Sequence, residues 1–139
     1  MTGAAAALER AYRDDRAAVL AALARRRGGD LALAEDAVHD AFVAAAVEWE
    51  RRGVPARPGA WLTTTAWRKA LDRLRRARAE RAHAPDLAPP AASYDLDDVL
   101  ERSSLDDDVL AMLFACCHPA LAAEARIALT LRSVAGLTV

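Results

Sequence analysis

The stretch from residue 60 to residue 76, Ala-Trp-Leu-Thr-Thr-Thr-Ala-Trp-Arg-Lys-Ala-Leu-Asp-Arg-Leu-Arg-Arg, decides the fold that the sequence predicts. Its apolar residues recur every three or four positions, which is typical of one face of a helix. Pro58 suits the first position of that helix. We expect the helix to reach about residue 82, ahead of Pro85, with Leu71 beside a buried stripe that is formed by Leu62, Ala66, Ala70, Leu74 and Ala77.

Two more helices are predicted on the N-terminal side of this stretch. The first covers about residues 4–26 and ends at Gly28-Gly29. Asp30 is a suitable N-cap for the next helix, about residues 31–50. The apolar positions of that helix recur at spacings of three and four, and they are Ala34, Val38, Ala41, Phe42, Ala45 and Trp49. Residues 51–58 hold two prolines and a glycine, which predicts a loop.

The C-terminal third is predicted to be a linker followed by two short helices. Residues 85–104 are proline-rich and acidic, with a short helix expected near residues 95–102. Helices over about 105–117 and 121–135 follow, separated by Pro119 and closed by Gly136. Alternating β-branched runs are almost absent. The sequence therefore predicts an all-α protein with a helical bundle over residues 1–84 and a second unit over residues 105–139.

Charge is unevenly distributed along the chain. Residues 51–83 carry ten Arg or Lys and two acids, a net of +8, whereas residues 84–108 carry eight acids and one Arg, a net of −7. Cations at a helix C-terminus favour the macrodipole, which accounts for three or four of the ten. The remainder favours a polyanion-binding track. Its members on the helix are Arg68, Lys69, Arg73, Arg75, Arg76, Arg78 and Arg81.

Aromatic and acidic residues allow two interpretations each. Trp61 and Trp67 could stack on bases, although tryptophans on helices are more often core residues. Of the two, Trp61 is expected to pack inward and Trp67 to be exposed. Asp36 and Asp40, one turn apart, could form a docking stripe for a basic partner helix. Taken alone, they are more simply a solvated pair.

Other functional classes find little support in the sequence. Cys116, Cys117 and His118 are consecutive and lack the spacing of zinc ligands, so we expect buried cysteines and neither a metal nor a cofactor. Glycine-rich phosphate loops, nucleophile elbows and HExxH motifs are missing, so no enzyme is expected. No run of eighteen apolar residues or signal-peptide pattern occurs. The expected location is the reducing cytoplasm.

Three segments, in order, resemble a known family. Residues 33–42, Leu-Ala-Glu-Asp-Ala-Val-His-Asp-Ala-Phe, resemble region 2.2 of bacterial RNA polymerase sigma factors of the extracytoplasmic-function (ECF) group. Residues 60–76 resemble regions 2.3 to 2.4. Residues 114–138 resemble the entry into region 4, in a subgroup where Cys-Cys-His-Pro recurs. The resemblance covers nearly the whole chain and implies region 2 over residues 1–84, an acidic linker and an incomplete region 4.

The resemblance implies roles for individual residues. The second helix would dock on the β′ coiled coil of the polymerase core through Glu35, Asp36, His39, Asp40 and Phe42. The loop of residues 51–58 would capture a flipped base of the non-template strand of the promoter −10 element. The residues expected to contact DNA are Arg51, Arg52, Arg57, Trp61, Thr64, Thr65, Trp67, Arg68, Lys69, Asp72, Arg75 and Arg76.

The resemblance has departures and leaves alternatives open. Trp67 stands where the family often has Arg or another small or polar residue. Arg68 stands where many members have Asn. The chain stops before a helix-turn-helix, so we expect a fragment without −35 recognition. An anti-sigma factor would be a further partner, and no membrane is involved. The alternatives are a protein-interaction module whose basic helix binds an acidic partner, and a repressor-like domain that binds duplex DNA.

Overall fold

The computed structural model describes residues 3–26, 30–82 and 105–137. These residues form six helices and no strand: α1 (Gly3–Asp14), α2 (Arg16–Arg26), α3 (Leu31–Arg52), α4 (Pro58–Arg81), α5 (Leu105–Cys116) and α6 (Ala123–Ser133). The prediction of an all-α fold is thereby confirmed for the described part. The predicted linker, the helix expected near residues 95–102 and the Gly28-Gly29 terminus lie outside the described residues.

The first predicted helix is in fact two helices, so that prediction is wrong. Asp15 separates α1 from α2 in a turn conformation, although its backbone N–H still bonds Ala11 O at 2.8 Å. Aspartate is a weak helix former because its carboxylate competes for backbone groups. Here the carboxylate faces the first turn of α4, where a Cβ added to Gly59 would lie 3.1 Å from Oδ1. Burial, with Asp14 adding to it, raises the pKa of Asp15.

Helix α3 follows its predicted pattern closely. The Asp30 side chain accepts a hydrogen bond from Leu33 N at 3.1 Å, which confirms the predicted N-cap. All six residues of the predicted apolar stripe are buried. The helix continues two residues beyond the expected end, because Gly53, at φ 88°, terminates it and donates its N–H to Trp49 O.

Helix α4 begins at Pro58 as predicted and packs against α3. Leu62, Ala66 and Ala70 are buried, whereas Leu71, Leu74 and Ala77 are only half-buried. Small side chains dominate the packing of these two helices, and the fully buried ones are Ala37, Ala41, Ala45, Ala66 and Ala70. Small residues allow helix axes to approach closely.

The remaining helices complete one core. Helix α2 contributes the buried side chains of Val19, Leu20 and Leu23. Helix α5 packs against α2 and buries Met112 and Cys116. Helix α6 buries only Ser133, with Leu129 and Val134 partly packed against the core. The second unit therefore lies against the bundle, with α6 held more loosely than α5.

Candidate nucleic-acid interface and docking face

One face of α4 carries half of the predicted DNA-contacting residues. Positions three, four and seven apart share a helix face, and the face opposite the buried stripe holds Trp61, Thr64, Thr65, Arg68, Asp72 and Arg75, here named the outer row. Arg68 and Arg75 are exposed, while Trp61 and both threonines are half-buried. Arg75 also contacts Asp72 at 3.6 Å. The outer row thus combines an indole, two hydroxyls and two guanidiniums.

The structure corrects the expected role of Trp67, whereas Trp61 packs against the core in part, as expected. Trp67 is only 3% exposed and belongs to the core, so its prediction as an exposed stacking residue is wrong. The physical reason is helix register, since Trp67 lies one turn from buried Thr63 and Ala70. Trp61 is half-buried against Trp49, edge to face, with ring centroids 5.6 Å apart. The exposed part of Trp61 leaves one aromatic surface on the outer row.

Arg73 lies outside the outer row and is committed to α3. Its Nη2 lies 2.7 Å from Asp40 Oδ2, its Nε donates to the same oxygen at 2.9 Å, and its Nη1 lies 3.7 Å from Asp36. Hydrogen bonds between a guanidinium and a carboxylate are among the stronger hydrogen bonds in proteins. Arg73 is therefore an interhelix link, and the expectation that it belongs to the phosphate track is wrong.

The loop ahead of α4 is shorter than expected. Arg51 and Arg52 form the last turn of α3, which corrects their placement in the loop, and Arg52 lies 3.9 Å from Glu48. The loop itself covers residues 53–57. Arg57 is exposed at its end and accepts the Trp61 N–H through its carbonyl at 3.1 Å. The loop thereby opens directly onto the outer row.

Lys69 and Arg76 flank the outer row on a groove between α3 and α4. The groove has a volume of about 590 Å³ and its walls include Lys69, Arg73, Arg76, Val43 and Val47. Arg76 is exposed and Lys69 half-buried. These two cations face the α3 side, so only part of the predicted DNA set shares a single surface.

Two of the residues predicted to dock the polymerase are not displayed. Phe42 is buried against Tyr12, with ring centroids 5.3 Å apart. The Glu35 side chain is 17% exposed and pairs with Arg132 of α6 at 3.1 Å. Both side chains point towards neighbouring helices, which agrees with the prediction of Phe42 in the apolar stripe of α3 and leaves neither available to a partner in this arrangement. His39 and Asp36 are exposed and Asp40 is partly exposed.

The outer side of α3 shows two residues that sequence reasoning missed. Val43 and Val47 are 54% and 56% exposed and continue the line of Asp36 and His39 by one and two turns. We name Asp36, His39, Val43 and Val47 the α3 outer face. Their signal in the sequence was a pair of β-branched residues four apart, outside an apolar stripe that was already complete. Exposed apolar pairs of this kind are common in docking surfaces.

The vicinal cysteines differ in environment. Cys116 is buried and Cys117 exposed, so the prediction that both are buried holds for the first alone. Burial raises the pKa of the Cys116 thiol, and the neighbouring Cys117 adds to this effect. His118 Nδ1 accepts the N–H of Ala120 at 3.2 Å. Within the described ranges, no three His, Cys, Asp or Glu side chains cluster as metal ligands would.

Comparison with known proteins gives a specific match. Residues 12–80 match the family described as Sigma-70 region 2. An uncharacterized protein of Rhizobium meliloti (strain 1021) is 39% identical over 117 residues, which make up 79% of this chain and 27% of that protein. The chain thus spans about a quarter of the length of this relative. No solved structure matches significantly. None of the helices described is long and apolar enough to cross a membrane.

Proposed function

We propose that the chain acts as a sigma factor of the ECF group, which directs RNA polymerase to promoters, because residues 12–80 match the family described as Sigma-70 region 2. In this proposal, α4 holds the non-template strand of the −10 element while α3 docks on the β′ coiled coil. The observation that carries it is the outer row of α4, which lies beside an exposed loop and on a different helix from the α3 outer face.

The outer row suits a single strand better than a duplex. Promoter opening requires bases to be unstacked, at a few kcal/mol per base. Stacking on an aromatic side chain returns about 1–3 kcal/mol per base. Trp61 supplies the aromatic surface, and Arg68 and Arg75 lie on the same side to hold phosphates. The short loop ending at Arg57 is placed to receive a flipped base next to Trp61.

Polymerase docking is assigned to the α3 outer face. Val43 and Val47 supply apolar area, and Asp36 and His39 supply polar contacts at one end. Arg73 lies within 4 Å of both Asp36 and Asp40, and its positive charge offsets part of the negative potential that these carboxylates present to a partner. The apolar pair is therefore expected to contribute more than the acids. An anti-sigma factor would compete for this same face, and the cytoplasm is the corresponding location.

Binding of single-stranded DNA tests the first half of the proposal. We expect a fluorescent −10 non-template strand to bind more tightly than scrambled strands. The plot of log affinity against log salt has a negative slope. Arg68→Ala with Arg75→Ala should make this slope less steep by about 1.4, since each phosphate contact to a single strand contributes about 0.7 to its magnitude. Arg10→Ala with Arg13→Ala, exposed on α1, is the matched control. Equal binding to all strands and to heparin would favour an interaction module, and a preference for duplex would favour a repressor-like domain.

A pull-down with polymerase core tests the second half. We expect Val43→Glu with Val47→Glu to weaken binding at least tenfold, about 1.4 kcal/mol, because two carboxylates would be desolvated at the interface. Ile127→Glu, an exposed β-branched position on α6, is the control. Unchanged capture of the double variant would show that this face does not dock the polymerase.

A further inference from the structure

The end of α6 is fastened to the bundle by charged and polar contacts. Arg132 Nη2 lies 3.1 Å from Glu35 Oε2 on α3. Arg16 Nη1 donates to the carbonyl oxygens of Arg132 and Ser133 at 3.3 and 3.4 Å. A cation at this position also favours the negative end of the helix dipole. Two guanidiniums, one from each side, therefore join α6 to the region 2 domain.

The residues after α6 continue over the same place. Gly136, at φ 68°, turns the chain so that a Cβ there would lie 3.6 Å from Arg16 and 3.9 Å from Tyr12. Leu137 N donates to Leu131 O at 3.2 Å, which holds the turn against α6. A cavity of about 400 Å³ lies beneath, and its walls include Glu35, Asp36, His39, Arg132 and Leu137. The end of α6 thus borders the first two residues of the α3 outer face.

The contacts between the end of α6 and the bundle are weak enough for α6 to separate from the bundle. Helix α6 leaves Ile127 and Leu131 exposed and buries no large apolar side chain fully. The Arg132 side chain is exposed, and an ion pair with one exposed partner contributes little to stability. Because the α6 contact depends on few such interactions, the free energy of opening it is small and an open state is populated. Glu35 Oε1, by contrast, is buried without a hydrogen-bond partner, so the closed state also carries a cost.

We propose that the segment from Arg132 to Leu137 is an intramolecular clasp, which occludes Glu35 beside the exposed Asp36–His39 end of the α3 outer face and has to separate from Glu35 before the polymerase coiled coil docks fully. The inference rests on the proposed function, because it concerns access to the docking face. Closure keeps the free chain from binding core at full affinity, and opening presents Glu35 together with Asp36 and His39. The clasp makes polymerase binding depend on a contact within the chain.

A thiol-reactivity experiment tests closure without polymerase. Ser133 and the Cys116 thiol are both buried and lie next to each other, so release of the α6 end is expected to uncover that thiol. In a Cys117→Ser background, we measure alkylation of Cys116 by iodoacetamide in the full chain. Arg132→Glu should increase the rate about fivefold, the factor that an ion pair of this exposure is worth. Arg126→Glu, on the same helix, is the control and should leave the rate unchanged. Equal rates in both variants would overturn the clasp.

Polymerase affinity then tests whether the clasp covers the docking face. We expect Arg132→Glu to bind core about fivefold more tightly than Arg126→Glu, because binding of the Arg132→Glu chain no longer includes the free energy of opening the clasp. Saturating core should also accelerate Cys116 alkylation in the chain that retains Arg132. Faster alkylation of Arg132→Glu with unaltered core affinity would overturn the covering role alone. Absence of core binding by every variant would contradict the proposed function, and the covering role with it.

Discussion

The two tryptophans of α4 stand six residues apart in the sequence, and this spacing places them on different sides of the helix. Trp67 is enclosed among core alanines, whereas Trp61 lies at the rim with part of its indole in solvent. The Trp67 ring therefore contributes to the core, and the Trp61 ring is partly accessible to a partner. The difference in their exposure follows from helix register, because six residues at 3.6 per turn place positions 61 and 67 about 120° apart around the helix axis.

Alanine substitution should separate these two roles. We expect Trp67→Ala to lower the free energy of unfolding by about 3–5 kcal/mol, the usual cost of emptying a large core site. Trp61→Ala should cost less, because its ring is partly solvated, and should weaken binding of the −10 strand by about 1–3 kcal/mol. Urea denaturation and strand titration measure the two effects. A Trp61→Ala chain that binds the strand normally would remove stacking from the proposed function.

At the level of helices, Arg73 is the main polar connection between α4 and α3. Its guanidinium spans two carboxylates one turn apart, Asp36 and Asp40. This arrangement keeps the C-terminal half of α4 aligned along α3 beyond the alanine-rich contact. The relative orientation of the outer row and the α3 outer face therefore depends on this residue.

Removal of that connection should affect stability more than DNA binding. We expect Arg73→Ala to reduce the free energy of unfolding by about 1 kcal/mol, since the pair is half-exposed. Arg68→Ala, exposed on the outer row, should stay within about 0.5 kcal/mol of the parent chain. The strand affinities should show the opposite order. Equal losses of strand affinity in both variants would place Arg73 on the DNA path after all.

The elements could be predicted from the sequence to different degrees, for physical reasons. The cap at Asp30, the apolar stripe of α3 and the start of α4 at Pro58 are local features, and all were predicted. The break at Asp15 was missed because residues 4–26 contain no Gly or Pro. Its cause is tertiary, since the Asp15 carboxylate meets the first turn of α4 at Gly59.

The candidate site shows the same division. Exposure of Arg68 and Arg75 followed from helix spacing and was predicted. The commitment of Arg73 to α3 and of Glu35 to Arg132 could not be, because each pair joins residues far apart in the chain. A charge count identifies the cations of a segment, but only the packed structure shows which of them remain available to a partner.

For the molecule as a whole, the two units should differ in how often they open. Helices α2, α3 and α4 share the large buried core, whereas α6 contributes one fully buried residue, Ser133. We expect amides in the middle of α3 and α4 to exchange with solvent at least about tenfold more slowly than those of α6. Hydrogen exchange followed by NMR measures this. Equal protection throughout would mean that the described chain opens as one cooperative unit.

The alanines between α3 and α4 have a consequence for how such a molecule can change. A methyl group is the smallest side chain that still fills space, so any larger replacement at Ala41 or Ala66 would force the two cylinders apart. The outer row and the α3 outer face lie on those two helices, so such a replacement would change the distance between them. Under the proposed function, changes in promoter preference are therefore expected at side chains exposed to solvent, while the buried alanines keep the two surfaces at a fixed separation.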